Sequence, residues 1–297
     1  MRYATTGAAP VAGRTRSAEP MDLALQIERD VAAALAEDVG SGDVTAALTP
    51  GSAVARAQVV ARQNAVLCGR AWFDACFRKL DPGMDIGWRI AEGAQASRGQ
   101  IVCGLNGNAR ALLTGERTAL NFLQLLSAVA TATSRYVAAV SGTRARIVDT
   151  RKTLPGLRAA EKYAVRVGGG VNHRMGLYDA ILLKENHIAG FGGVRAALTA
   201  AQKSAARGVW IQVEVETLDQ LRQALDAGAT MILLDNMSPD HMSEAVRISA
   251  GRAELEASGG VTLDNVRAIA ETGVDRISIG ALTKDIEAVD FSMRFET

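Results

Sequence analysis

A chain of 297 residues with a net charge of +1 has no global basic field to hold nucleic acid, and 4% aromatics leave little surface for stacking bases. An apolar fraction of 48% and a charged fraction of 22% are ordinary for a globular protein of one or two domains. No run approaches the ~20 apolar residues of a membrane span.

The first twenty residues lack the apolar core of a secretory signal, and their Ala, Gly, Thr and Pro content predicts a disordered tail. Arg2, Arg14 and Arg16 leave a transit peptide as the lesser reading. A helix is expected from about Leu23 to Leu35, followed by a turn-rich loop, "EDVGSGDVT". "SAVARAQVVARQNAVLCG" and "AEGAQASRGQIVCGLNG" read as strands and turns. "GERTALNFLQLLSAVATATSRYVAAVSG" reads as a long helix ended by Gly142. Cys68, Cys76 and Cys103 show no C-x-x-C spacing, so buried free thiols in a reducing, cytoplasmic setting are expected.

After residue 143 short apolar strands recur: "ARIVDT", "AILLKE", "WIQVEVE", "TMILLDN", "AELEASG" and "RISIGAL". Helical segments separate most of them, with a capping box at Thr217–Gln220 and stops at Gly228 and Gly273. Such alternation predicts parallel βαβ units, arranged as an incomplete α/β barrel of about six strands or an open sheet.

Alternation along the strands divides each into two faces. Ile211, Val213 and Val215 share one face of "WIQVEVE", and Gln212, Glu214 and Glu216 share the other. Leu255 and Ala257 oppose Glu254, Glu256 and Ser258; Ile277 and Ile279 oppose Arg276, Ser278 and Gly280. With the apolar face against the outer helices, the polar face looks into the barrel, which Val, Ile and Leu normally fill. Ionised groups there are costly unless paired or bound to a ligand. Two readings compete: an internal salt-bridge network of Glu216, Glu256, Arg276 and Lys184, or a site for an anion.

Arg151, Lys152, Arg158, His173, Arg174 and Lys184 gather in "DTRKTLPGLR" and "GGGVNHRMGLYDAILLKENH". They suit a ligand with several carboxylates or phosphates. Ser258–Gly260 is expected just before a helix N-terminus and Gly280 at a strand end, where backbone N–H groups could cradle a phosphate; two tight turns are the equal alternative. Glu214 and Asp235 could hold Mg²⁺ or pair with the cations. The triple glycine 168–170 fits neither the P-loop nor the dinucleotide pattern and reads as a close backbone approach or a helix stop. His173 is either a carboxylate donor or a satisfied structural histidine. There is no zinc motif and no Ser–His–Asp arrangement.

"TRKTLPGLRAAEKYAVRVGGGVNHRMGLYDAILLKENHI", "VEVET", "LLDNM", "EASGGV" and "GVDRISIGALT" resemble the quinolinate phosphoribosyltransferases, as do "EDVGSGDVT" and "GERTALNFLQLLSAVAT". The resemblance runs from about residue 25 to the end; Ala128 departs from the commoner glycine. It implies an α/β fold with an N-terminal α/β sandwich (21–125), an incomplete α/β barrel (126–285) and a C-terminal segment (286–297) returning to the first domain. It implies transfer of phosphoribosyl from phosphoribosyl pyrophosphate (PRPP) to quinolinate, giving nicotinate mononucleotide, pyrophosphate and CO₂. It implies that Arg151, His173, Arg174 and Lys184 bind quinolinate, with Arg117 reaching in from the partner of a homodimer or higher oligomer. Lys152, Glu214, Asp235, Ser258, Gly259, Gly260, Gly280 and Ala281 then serve PRPP and its Mg²⁺, with Thr150 among the substrate-binding residues and Lys152, Lys184, Glu214 and Asp235 catalytic. Three rivals remain: relatives of the same architecture that act on nicotinate or belong to molybdenum transport, a Schiff-base aldolase using Lys184, and a barrel with no chemistry.

Overall fold

The computed structural model describes residues 22–296; the tail expected over residues 1–20 lies outside them. Helix α1 (Leu23–Val39) starts where the Asp22 carboxylate accepts hydrogen bonds from the Ala24 and Leu25 N–H groups, and it runs a turn beyond the end expected at Leu35. Strands β1 (Val54–Ala61) and β2 (Ala65–Val66) lead into helix α2 (Arg70–Leu80). The sequence pattern does not announce α2, because its aromatic run is too short to separate helix from strand. Trp72, Phe73, Cys76 and Phe77 nevertheless recur at helical spacing and are fully buried. Strands β3 (Asp85–Trp88), β4 (Gln95–Ala96) and β5 (Ile101–Asn108) follow. Helix α3 (Ala109–Ala139) is then continuous over 31 residues.

The second half alternates strands and helices. Strands β6 (Arg146–Val148), β7 (Ala180–Leu183), β8 (Trp210–Val215), β9 (Met231–Asp235), β10 (Glu254–Ser258) and β11 (Arg276–Ser278) form one parallel sheet in the order β6-β11-β10-β9-β8-β7. Helices α4 (Arg158–Val167), α5 (Glu185–Gly190), α6 (Val194–Ser204), α7 (Leu218–Asp226), α8 (Pro239–Ser249), α9 (Val266–Glu271) and α10 (Ala281–Lys284) connect and cover the strands. Val213, Val215, Ile232, Leu234, Leu255, Ala257 and Ile277 are buried on the outward face, as the alternation predicts. Thr217 and Gln220 form the expected capping box at α7.

Strands β6 and β7 are consecutive in the chain yet occupy opposite edges of the sheet, so the barrel is incomplete. The chain between α4 and β7 lines one side of the opening. Val171 bridges Val148 in parallel, and its N–H donates to the Ile147 carbonyl at 2.8 Å. The triple glycine permits this course. A Cβ at Gly168 would lie 2.4 Å from the Ala130 carbonyl oxygen, and one at Gly170 would lie 2.8 Å from Thr133 Cγ2. The glycines let backbone press against α3, which is the close-approach reading and not a phosphate loop.

The last strand, β12 (Phe291–Phe295), leaves the barrel and pairs antiparallel with β1, giving a second sheet of order β12-β1-β5-β3. Helix α3 packs on this sheet's strands and on α2, and it also meets α4 and β6, so one helix is shared by both units.

Candidate active site

The barrel interior is polar and layered. Its lower part is charge-balanced: Glu254 pairs with Arg146, and Arg276 Nη1 lies 3.8 Å from Glu254 Oε1. Arg276 Nε also lies 2.9 Å from Glu256 Oε2, as an ion pair whose N–H does not point at the oxygen. Gln212 Nε2 donates to Glu256 Oε2 at 3.2 Å. Two arginines thus meet two glutamates, and the predicted internal network exists here. Its membership differs from the expected one. Glu216 is exposed, because β8 ends at Val215 and the Glu216 backbone turns into the α7 cap; Lys184 stands at the mouth instead.

His173 sits above this layer with its ring fully engaged. Nδ1 accepts the Arg174 backbone N–H at 2.8 Å, so the hydrogen is on Nε2, which donates to Gln212 Oε1 at 2.9 Å. Burial pushes the His173 pKa down, with Glu256 opposing. The ring is neutral and has no N–H left for a ligand.

The mouth is not balanced. Arg151 and Lys152 follow β6, Lys184 follows β7, Glu214 lies on β8 and Asp235 ends β9. Lys184 Nζ lies 3.4 Å from Glu214 Oε2, and the Lys184 backbone N–H donates to His187 Nδ1. Arg174 donates to the Ala180 carbonyl. Its guanidinium pKa is lowered by burial and by the charge of Arg151, with Asp179 opposing. Arg151 Nε is buried and has no hydrogen-bond partner among the described residues. Four cations face three carboxylates, Glu214, Asp235 and, beside Arg174, Asp179. A site with that excess, and with an unpaired N–H on one arginine, is built to receive an anion.

The remaining predicted residues surround this mouth. Thr150 Oγ1 accepts the Lys152 N–H, and Thr283 Oγ1 donates to the Lys152 carbonyl. Gly280 abuts the Lys152 stem, and Ala281 starts the four-residue α10. Ser258 is in register with Asp235, and the Asn236 N–H donates to its carbonyl. Gly259 (φ +102°) is required, since a Cβ there would fall 2.0 Å from Asn236 Oδ1. The expected helix N-terminus directly after Ser258–Gly260 is corrected: α9 begins only at Val266, and Asn265 closes the intervening turn by donating to the Gly260 carbonyl. Arg158 is spent on Thr153 Oγ1 and the Met175 carbonyl. Arg117 is exposed on α3, away from the barrel strands in sequence and on the same helix face as the exposed Leu113.

Sequence reasoning misses Asp149, Glu161, Lys162 and the role of Gln212. All four are completely buried, and Lys162 forms an ion pair with Asp149. For Glu161 and Lys162 the signal is a charged pair, "EK", on a face that helical spacing with Ala160, Ala164 and Val165 marks as apolar.

No group of three or more metal-type ligands exists among the described residues. Glu214 and Asp235 remain as two carboxylates at one rim, a donor set that fits Mg²⁺ carried in largely by a polyphosphate. Among the described residues no helix is long and apolar enough to cross a membrane, and all three cysteines are free and buried.

Comparison with known proteins agrees with this fold. The family pattern "Quinolinate phosphoribosyl transferase, C-terminal domain" matches residues 129–294, and the corresponding N-terminal domain pattern matches residues 43–127. A probable nicotinate-nucleotide pyrophosphorylase (carboxylating) of Bacillus subtilis is 42% identical over 257 residues, covering 86% of this chain and 89% of the relative. The nicotinate-nucleotide pyrophosphorylase (carboxylating) of Mycobacterium leprae is 43% identical over 270 residues, 88% of this chain and 94% of the relative. The solved nicotinate-nucleotide pyrophosphorylase of Francisella tularensis superposes with a TM-score of 0.89 at 42% identity, over 92% of this chain and 97% of that one. With both domain patterns matched in order and the fold shared, the chain belongs to the quinolinate phosphoribosyl transferase family.

Proposed function

We propose that Arg151, Arg174 and Lys184 grip quinolinate at the barrel mouth while Lys152, Glu214 and Asp235 hold PRPP beside it. The chain, as a member of its family, transfers phosphoribosyl to quinolinate with loss of CO₂, a step of de novo NAD synthesis. The observation that carries the assignment of residues is the buried, unpartnered Nε of Arg151 next to Arg174. Quinolinate, a dianion with adjacent carboxylates, supplies the acceptors that this arginine pair lacks.

The chemistry asks for no protein nucleophile. The pyridine nitrogen attacks the ribose C1, and the C1–O bond breaks with its electrons going to pyrophosphate. Positive charge develops on the ribose as that bond opens, as in glycoside cleavage. Lys152, in the loop after β6, is the group we assign to stabilise the departing oxygen. Mg²⁺ held through Glu214 and Asp235 would supply further neutralisation of pyrophosphate. The ring nitrogen of the ribosylated intermediate is cationic, so its charge stabilises the electron pair left on C2 when the 2-carboxylate departs as CO₂. That carbon then takes a proton, and the Lys184 ammonium is the donor we assign. His173, with both nitrogens engaged, sets the Arg174 backbone and does not itself donate to a carboxylate.

Several observations support a homodimer in which Arg117 completes the partner's site. Arg117 is exposed one helical turn from Leu113, which is 42% exposed, and Val44 and Leu48, on a segment tied to the same helix, are 84% and 85% exposed. Arg110 fastens that apolar segment to α3 through the Ala47 and Thr49 carbonyls. Exposed apolar side chains on α3 and the segment fastened to it, with an exposed cation on that helix, suit a subunit contact. The three buried thiols fit a cytoplasmic setting.

The test is product analysis with purified protein, PRPP, Mg²⁺ and either quinolinate or nicotinate. CO₂ and nicotinate mononucleotide should appear together from quinolinate, and neither from nicotinate. Equal use of nicotinate would overturn the two-carboxylate site.

A further inference from the structure

Helix α4 lies behind the mouth and touches both loops that carry the candidate ligand residues. One loop, after β6, bears Arg151 and Lys152. The other, before β7, bears His173 and Arg174. Each loop is short of regular hydrogen bonding, so something outside it must fix its course. The side chains of three α4 residues do this. Glu161, completely buried, accepts the Leu154 N–H with both carboxylate oxygens, at 3.2 and 3.4 Å. Lys162, also completely buried, donates to the His173 carbonyl at 3.1 Å and pairs with Asp149. Asp149 in turn accepts the His173 N–H at 2.8 Å, so the peptide groups on both sides of His173 are held by one buried ion pair. Asn172 completes the unit by donating to Asp149 and to the Lys162 carbonyl. Arg158 spans the two loops, reaching Thr153 Oγ1 at 3.0 Å and the Met175 carbonyl at 3.1 Å.

A buried ion pair is weak evidence of stability, because an apolar replacement of both members is often as stable. Here each partner also bonds the backbone of one loop, which apolar side chains could not do. We infer that the consecutive Glu161 and Lys162, with Asp149 as the counter-ion, are positioning residues for the transferase reaction: they set the spacing between the Arg151–Lys152 loop and the His173–Arg174 loop. Glu161 governs the first loop and Lys162 the second. Because Arg151 and Lys152 serve different substrates in the function proposed above, loss of the Glu161 contact affects both, whereas loss of the Lys162 contact affects quinolinate alone. The inference rests on that assignment.

Two sets of variants of the full-length enzyme test it. Asp149→Asn combined with Lys162→Met removes both charges together and so leaves no buried ion unpaired. Glu161→Ala removes the acceptor for Leu154, and Glu161→Gln keeps it. Quinolinate binding is read by calorimetry and both KM values by steady-state kinetics, alongside the melting temperature. Small displacements of binding groups are costly, so the double variant should bind quinolinate about tenfold or more weakly with its KM for PRPP nearly unchanged. Glu161→Ala should raise both KM values, and Glu161→Gln should restore them. Wild-type quinolinate affinity in the double variant, whatever its melting temperature, would overturn the Lys162 role. Equal behaviour of Glu161→Ala and Glu161→Gln would overturn the Glu161 role. Failure of the wild-type enzyme itself to bind quinolinate would instead strike the assignment beneath the inference.

Discussion

Gly280 sits against Lys152 so closely that a Cβ there would lie 3.0 Å from Lys152 Cδ. The contact is with the stem of a flexible side chain, so an added methyl group displaces the lysine before it strains the backbone. Gly280→Ala should therefore melt close to wild type yet lose roughly tenfold to a hundredfold in kcat, since a shift near 1 Å at a binding group has that cost. Steady-state rates at saturating substrates, with a thermal melt beside them, check this. Unaltered turnover would mean that Lys152 has no part in the reaction.

Arg174→Ala addresses the anion site directly. Removing one member of a desolvated charge pair weakens binding by roughly 2–5 kcal/mol. Quinolinate affinity by calorimetry should fall by that amount. In the free enzyme the loss of the Ala180 contact is offset by relief of repulsion with Arg151, so the melting temperature should change little.

Glu161 gives a pH signature. Burial pushes its carboxyl from 4.5 up to about 7. Between those values the native protein holds a proton that the unfolded chain has released. The stability contributed by this group is therefore highest below pH 4.5, falls as pH rises and levels off above about pH 7. Melting temperatures of wild type and Glu161→Gln, compared at pH 5 and pH 8, should diverge, with wild type losing more on going to pH 8. Parallel curves would remove this account of the group.

The carboxylates at the rim are tested by Glu214→Gln and Asp235→Asn. Each should raise the Mg²⁺ concentration needed for half-maximal rate and lower turnover by about a hundredfold. A magnesium titration of initial rate reads both effects. Rates independent of either substitution would leave the metal without a holder on this chain.

Mixed dimers test the shared site. Arg117→Ala and Lys184→Ala, each inactive alone, should on random reassociation regain about a quarter of wild-type activity, because half the dimers then carry one intact site. No recovery after demonstrated subunit exchange would confine Arg117 to its own subunit.

Much of the barrel was legible because period-two alternation and strand–helix alternation survive in the sequence. Val213 and Val215 outward and Gln212 and Glu214 inward is a purely local pattern. The excess of cations near His173 and Lys184 was legible for the same reason. What stayed hidden depends on contacts distant in sequence. Glu256 and Arg276 were readable as network candidates, but which charges pair is fixed only when β10 and β11 come into register. The task of Glu161 and Lys162 appears only when α4 is folded back on residue 154 and on residues 149 and 173. Glu216 belonged to the alternating pattern, but the strand stopped one residue earlier and the α7 cap claimed it. Asn265 could likewise have been read as a turn closer, and the delay of α9 to Val266 inferred from it.

The pairing of β12 with β1 has a consequence for how this protein is made. During synthesis the first unit emerges with β1 bare on one side, and that side stays uncovered until residues 291–295 have left the ribosome. Everything between β1 and residue 290 must be translated before this earliest sheet is sealed. Nascent chains stalled before residue 291 should present an adhesive ribbon to chaperones or to one another.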